Sequence, residues 1–179
     1  CIGDPVRYEA DAVIAALHRQ GITKIVMMTG DRERTAAAIA GRVGVDEYYS
    51  EVLPEGKARF GDEEKKKGRK VIMIGDGIND SPALSAADAG IAIIEGAEIA
   101  REIADITISE DNLFQLVTLR AISRALMDRI DRNYRFVIGF NLGLILLGVG
   151  GVITPAASAM LHNTSTLAIS LKSMTNLLD

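Results

Sequence analysis

Residues 71–82 read VIMIGDGINDSP and join a short apolar run to a loop of glycines and acids. The apolar part, residues 71–74, has the composition of a buried strand. Asp76 and Asp80 follow it four positions apart, and Gly77 between them lets backbone approach closely. Because parallel α/β sheets bind ligands at the carboxyl ends of their strands, we expect these two carboxylates to supply oxygen ligands for Mg²⁺.

Strands and helices alternate on both sides of this segment. Apolar and β-branched runs predict strands at residues 24–29, 47–53, 71–74, 90–93 and 106–108. Helically periodic, Ala-rich or charged stretches predict helices at residues 9–20, 31–42, 54–67, 81–87, 97–104 and 112–135. This alternation is typical of a parallel sheet with flanking helices, so the predicted fold class is α/β.

A second predicted strand also ends in residues that suit a ligand. Thr29, Gly30 and Asp31 lie at its end, where a hydroxyl and free backbone N–H groups at a helix start suit a phosphate. Lys57 lies just inside the helix that begins at Pro54, and its ammonium group could serve the same phosphate. The plainer interpretation is a turn capped by Asp31 and an exposed surface lysine.

The charge distribution sets a C-terminal segment apart. Beyond Arg135 only two residues are charged, and residues 136–153 form an apolar run of about the length that a membrane helix needs. Residues 156–178 form a second, less apolar segment. Arginines that mark the cytoplasmic side of a span precede the run: Arg120, Arg124, Arg129, Arg132 and Arg135. We expect a transmembrane hairpin in the cell membrane with residues 1–135 cytoplasmic; the alternative is two buried helices of a soluble fold.

Charge and cysteine content exclude several classes of protein. The 179 residues include 20 Lys and Arg against 24 Asp and Glu, and this net charge of -4 disfavours nucleic acid as a partner. The single cysteine, Cys1, rules out an intrachain disulfide framework and a Cys-rich zinc site. We therefore expect most of the chain to face a reducing compartment.

The order of four motifs resembles that of a known family. The motifs are TGD, LPEGK, GDGINDSP and DAGIAI, at residues 29–31, 53–57, 75–82 and 88–93. Their order resembles the haloacid-dehalogenase-like phosphorylation domain of P-type ATPases, and the apolar hairpin is similar to the last two membrane helices of the heavy-metal-transporting branch. The resemblance implies a haloacid-dehalogenase-like parallel sheet with flanking helices, then a C-terminal transmembrane helical hairpin. The implied parts are the C-terminal part of the phosphorylation domain, a connecting cytoplasmic helix and two transmembrane helices, at residues 1–111, 112–135 and 136–179.

The resemblance also implies a role for each residue of the site. The implied roles are catalysis by Thr29, Lys57 and Asp76, phosphate binding by Thr29, Gly30, Lys57 and Asn79, contact with the nucleotide by Asp31, and Mg²⁺ binding by Asp76 and Asp80.

His162 is the one side chain of the hairpin with the chemistry of a metal ligand, so it is a candidate ligand for the transported metal. The alternative is a packing hydrogen bond with Asn163, Ser165 or Thr166. Lys172 stands where the family pattern has asparagine, which leaves the metal subgroup open.

The nucleophile of the family is the aspartate of a DKTGT motif, which does not occur in this sequence. The resemblance thus implies the C-terminal part of an ATP-driven heavy-metal pump that forms an aspartyl phosphate, with Mg²⁺ as cofactor and ATP as substrate. Alone, this chain should be inactive. Its expected partners are the N-terminal part of the pump, the transported metal cation and the lipid bilayer, and not nucleic acid. The alternatives are a soluble haloacid-dehalogenase-like phosphatase and an inactive pump fragment with a binding or regulatory role.

Overall fold

The computed structural model of the protein describes residues 9–76, 80–94, 104–109 and 112–177. The chain divides into two compact units, Cys1–Thr118 and Leu119–Asp179. The elements of the first unit, in chain order, are α1 (Ala10–Arg19), β1 (Val26–Met28), α2 (Glu33–Val43), β2 (Glu47–Tyr49), α3 (Pro54–Lys66), β3 (Ile72–Gly75), α4 (Ser81–Ala86), β4 (Ala89–Ile94) and β5 (Ile106–Ser109). They are followed by the long helix α5 (Phe114–Val149) and by α6 (Pro155–Ser173).

All strand pairs in the described part of the chain are parallel, which confirms the predicted α/β class. The strands form two separate hydrogen-bonded sheets, one of order β1-β2 and one of order β3-β4-β5. In the first, Met27 pairs with Tyr48; in the second, Ile74 pairs with Ile91. Among these pairings β1 and β3 each have a neighbour on one side only.

The core of the larger sheet depends on a close approach between α4 and β4. Leu84 and Ala92 are 1% and 0% exposed and pack with Met73 and Ala104. A Cβ atom at Gly90 would lie 2.6 Å from the carbonyl oxygen of Leu84, so only glycine fits at this point of β4. Helix α4 therefore packs directly against the sheet.

Most predicted elements are present, with boundary differences that have local causes. Helix α2 ends as expected at Gly44, whose φ of 77° is left-handed, and α3 begins at Pro54. Strand β2 ends at Tyr49 rather than continuing to residue 53, because Glu51 takes a positive φ of 53° and turns the chain. The helix predicted at residues 97–104 lies almost wholly outside the described residues.

The helix expected at residues 112–135 continues to Val149 as one helix of 36 residues. Gly151, with φ of 72°, turns the chain after it, and the Thr154 hydroxyl accepts a hydrogen bond of 3.2 Å from the Ala157 N–H at the start of α6. The predicted helical hairpin is therefore present. Within the part of the chain that the structure describes, no helix combines the length and the apolar character that a membrane crossing requires, so the expected transmembrane hairpin is unconfirmed.

Asp88 connects the turn before β4 to the start of β3 by hydrogen bonds. Its carboxylate accepts hydrogen bonds from the Val71 N–H at 3.0 Å and from Lys70 Nζ at 2.9 Å. Its own N–H donates to the Val71 carbonyl at 2.9 Å. The Val71 N–H, and then Lys70, hold the pKa of the Asp88 carboxyl below its ordinary value of 3.8.

We predict that Asp88→Asn makes the stability of the fold less sensitive to acid. A carboxyl whose pKa is lowered by folding stabilises the native state above its unfolded pKa and loses that contribution as the pH falls through its folded pKa. Urea unfolding between about pH 5 and pH 3 should therefore show a shallower loss of unfolding free energy in Asp88→Asn than in the wild type. Asp62→Asn, at an exposed acid of α3, is the control. Equal slopes for Asp88→Asn and wild type would contradict the assignment.

Candidate phosphate and metal site

The end of β1 forms a tight turn around the side chain of Thr29. The Thr29 hydroxyl donates to Asp31 Oδ2 at 3.1 Å and accepts from the Asp31 N–H at 3.1 Å. Asp31 therefore holds the orientation of the hydroxyl that the sequence marks as a phosphate ligand. Gly30 stands between them, and a Cβ atom there would meet only the Val52 carbonyl, at 4.0 Å.

The backbone of Thr29 links β1 to the segment that starts α3. Its N–H donates to the Tyr49 carbonyl at 3.0 Å, and its carbonyl accepts from the Val52 N–H at 3.0 Å. Helix α3 begins two residues later, at Pro54. The first turn of α3, which carries Lys57, therefore lies beside the end of β1.

Lys57 extends from this turn to the end of the other sheet. Its Nζ contacts Asp80 Oδ1 at 2.6 Å, and the two side chains are only 15% and 12% exposed. At the other end of the two helices, Lys65 Nζ donates to the Ala86 carbonyl at 2.7 Å. These two contacts hold α3 alongside α4 and bring Lys57 and Asp80 together.

Asp80 packs directly over the end of β3. A Cβ atom at Gly75 would lie 2.5 Å from Asp80 Oδ2 and 2.8 Å from its Cβ atom. A side chain at position 75 would therefore displace Asp80 and its contact with Lys57. This is the physical reason for the glycine that begins the GDGINDSP motif.

Asp76 follows β3 immediately, with an exposed side chain. Asn79, which the sequence assigns to phosphate binding, lies outside the described residues. Lys57 already occupies one oxygen of Asp80, so the structure gives Asp80 a direct role in positioning the lysine. Asp76 directly follows β3, and its exposed carboxylate can reach a cation.

The donors present fit Mg²⁺. The described residues contain no group of three or more His, Cys, Asp or Glu side chains that could enclose a metal ion by themselves. Mg²⁺ needs no such cage, because it is commonly held by one or two carboxylates together with phosphate oxygens and water. The carboxylates of Asp76 and Asp80 at the end of β3 are donors of that kind.

The hairpin contains a separate polar pair. His162 Nδ1 lies 2.7 Å from Asn141 Oδ1. Of the packing partners suggested by the sequence, Ser165 and Thr166 donate to the backbone carbonyl of His162, at 2.8 and 3.0 Å. The partner of the imidazole itself is Asn141. Sequence reasoning missed Asn141, although it is the only polar side chain in the apolar run of residues 136–153.

Comparisons with known proteins identify the family of the chain. A family model described as haloacid dehalogenase-like hydrolase matches residues 1–88. A zinc-exporting P-type ATPase of Mycobacterium marinum is 41% identical over 167 residues, which are 93% of this chain and 23% of that protein. A copper-transporting P-type ATPase of Rhizobium leguminosarum bv. viciae is 42% identical over 175 residues, 94% of this chain and 21% of that protein.

The fold is also found in a solved structure. The crystal structure of a zinc-transporting PIB-type ATPase in the E2.Pi state superimposes with a TM-score of 0.87 and 31% identity, covering 98% of this chain and 28% of that one. The chain thus spans less than a quarter of the length of the two curated relatives. The expected haloacid-dehalogenase-like sheet is confirmed, and the chain belongs to the family of heavy-metal P-type ATPases.

Proposed function

We propose that this chain carries the phosphate and Mg²⁺ site of an ATP-driven heavy-metal pump, whose nucleophile lies in a segment that this chain does not include. The observation that carries the proposal is the contact of 2.6 Å between Lys57 and Asp80. Because of this contact, we assign the turn at Thr29, which suits a phosphate, and the acids after β3 to one site.

The reaction of such a pump has two steps, and both place charge on phosphoryl oxygens. A carboxylate oxygen of the nucleophile attacks the γ-phosphorus of ATP, and the bond to the bridging oxygen breaks to release ADP. Water then attacks the phosphorus of the aspartyl phosphate and releases inorganic phosphate. Catalysis of these steps consists mainly of positioning and of stabilising that charge.

Each site residue has a place in this scheme. The hydroxyl of Thr29, the backbone of Gly30 and the ammonium group of Lys57 bind phosphoryl oxygens, together with Asn79. Asp76 holds Mg²⁺, and Asp80 supports the site by fixing Lys57. The ion, when bound, neutralises charge on the transferred phosphoryl group. The Thr29 hydroxyl donates to Asp31 Oδ2 at 3.1 Å, so Asp31 must give up this hydrogen bond when the hydroxyl donates to a phosphoryl oxygen beside the expected nucleotide.

The open edges of the two sheets support an additional strand from the nucleophile segment. Strands β1 and β3 pair on one side only among the described residues. Unpaired strand edges are normally protected or paired. We propose that the segment with the nucleophile pairs with these edges, which would put its carboxylate beside Thr29 and Asp76.

The surface of the hairpin favours an apolar environment. No described residue of α6 is buried, and large apolar side chains are exposed along both helices, including Leu142, Leu146 and Leu167. A surface of this kind marks an interface with protein or lipid. We propose that in the complete pump this hairpin lies in the bilayer, with residues 1–135 on the cytoplasmic side.

The transported metal would meet the imidazole of His162. Asn141 Oδ1 can only accept a hydrogen bond, which favours the neutral tautomer with the proton on Nδ1 and a lone pair for a metal on Nε2. The relatives are named for zinc and for copper, and imidazole suits both. A soluble phosphatase is disfavoured, because the similarity to the pumps extends far past residues 1–88.

We predict that Lys57→Met in the complete pump lowers the rate of phosphoenzyme formation by about 100-fold or more, because one donor to the charged phosphoryl group is lost. Labelling with γ-³²P-ATP in a rapid quench measures it. Lys66→Met, at an exposed lysine of the same helix, should leave the rate unchanged. Equal rates for Lys57→Met and wild type would refute a phosphate role for Lys57.

We predict that Asp76→Ala abolishes phosphoenzyme formation, because Mg²⁺ loses a carboxylate ligand. The measurement is the labelling yield from ATP across a titration of Mg²⁺, with Asp62→Ala as the control. Labelling of Asp76→Ala at the wild-type Mg²⁺ dependence would show that another residue holds the ion.

We predict that His162→Ala lowers metal-stimulated ATP turnover while phosphorylation without transported metal stays normal. Turnover is measured over a panel of metal cations. The control is Ser170→Ala, because the Ser170 hydroxyl donates to the Thr166 carbonyl of its own helix at 2.9 Å. Unchanged metal stimulation in His162→Ala would assign the residue to helix packing.

A further inference from the structure

Arg129 of α5 binds the backbone at the end of α6. Its Nη1 donates to the carbonyls of Ser173 and Thr175 at 3.1 and 2.6 Å, and its Nη2 donates to the carbonyl of Asn176. Three backbone acceptors are thus satisfied by one guanidinium group. The sequence suggested only that this arginine marks one side of a membrane span.

This arrangement has a physical basis. The last carbonyls of an α-helix lack partners within the helix and carry a partial negative charge. The planar fork of a guanidinium group can reach several such acceptors at once, whereas the ammonium group of a lysine is a single point charge. Arg129 therefore caps α6 from a different helix and holds its end against α5.

Asn133 adds a second contact one turn further along α5. Its Nδ2 donates to Ser173 Oγ at 2.8 Å, and that hydroxyl donates to the Ile169 carbonyl at 2.8 Å. Residues four apart on a helix share a face, so Arg129 and Asn133 point to the same end of α6. We call these two residues, with their contacts to residues 173–176, the clasp.

The clasp and the Asn141–His162 pair are two separate polar contacts between α5 and α6. Asn141 is eight residues after Asn133, close to two further turns of the helix. Apolar helices surrounded by apolar groups gain little from one register over another, so polar contacts and close packing decide how they align. In this hairpin the clasp binds the C-terminal end of α6, and the Asn141–His162 contact lies nearer the turn between the two helices.

We propose that the clasp fixes the position of α6 along α5 and thereby holds His162 opposite Asn141. Arg129 is a positioning residue in this scheme, because it acts on the metal through His162 rather than by contact. The functional part of this inference rests on the proposed role of His162 in metal binding. The structural part, that the clasp fixes the position of α6 along α5, does not depend on that role.

The first arm of the test is hydrogen–deuterium exchange on the complete pump. In Arg129→Gln, peptides from residues 170–177 should exchange about fivefold faster or more, because the last turn of α6 loses its cap. Arg129→Lys should restore part of the protection. Arg132→Gln, at an exposed arginine of the same helix, is the matched control, and Asn133→Ala is a milder second variant if Arg129→Gln does not fold. Wild-type exchange in both clasp variants would overturn the proposal.

The second arm measures the metal concentration that gives half-maximal ATP turnover. Arg129→Gln should raise it about threefold or more in the wild-type background and should add nothing in the His162→Ala background, because the effect passes through His162. An equal rise in both backgrounds would overturn the positioning role. If His162→Ala by itself leaves the metal dependence unchanged, the proposed metal role of His162 is wrong, and the exchange result alone decides the clasp.

Discussion

The ion pair between Lys57 and Asp80 joins two parts of the first unit that the sheets leave separate. Strand β1 ends at the Thr29 turn, and β3 ends at the acids, yet no backbone ladder connects these strands among the described residues. The first turn of α3 lies beside Thr29 because Val52 donates to the Thr29 carbonyl. From that turn the lysine extends to Asp80, which rests on Gly75. The residues proposed to bind phosphate and Mg²⁺ are therefore linked through the first turn of α3.

A shielded ion pair of this kind is weak evidence for stability, because desolvation of both charges offsets much of their attraction. Its use here is geometric. Asp80 lies at the start of α4 and against Gly75, and it fixes the direction of the Lys57 ammonium group. In the proposed phosphate role of Lys57, little reorganisation is then needed when charge develops on the phosphoryl oxygens. In the proposed site, Asp80 of the GDGINDSP motif positions the lysine, and the more exposed Asp76 binds the cation.

Much of this could be predicted from the sequence, because the decisive signals are local. The strand before Gly75 and the turn at Thr29 depend on short runs of residue types, and their order carried the family resemblance. Other features depend on contacts that residue type does not encode. Arg129 binds backbone carbonyls, which every residue has, so nothing in the sequence near residues 173–176 indicates its partner. The Asn141–His162 pair required the register of two helices, and the early end of β2 required the backbone angle of Glu51.

The most direct measurement is a structure of the complete pump with Mg²⁺ and beryllium fluoride, which imitates the phosphoryl group on the nucleophile. If the two strand ends form one site, the fluoride atoms will lie within hydrogen-bonding distance of Lys57 Nζ and Thr29 Oγ1, with Mg²⁺ on the carboxylate of Asp76. A bound beryllium fluoride that contacts neither Lys57 nor Thr29, or a Mg²⁺ ion held away from Asp76, would contradict that view.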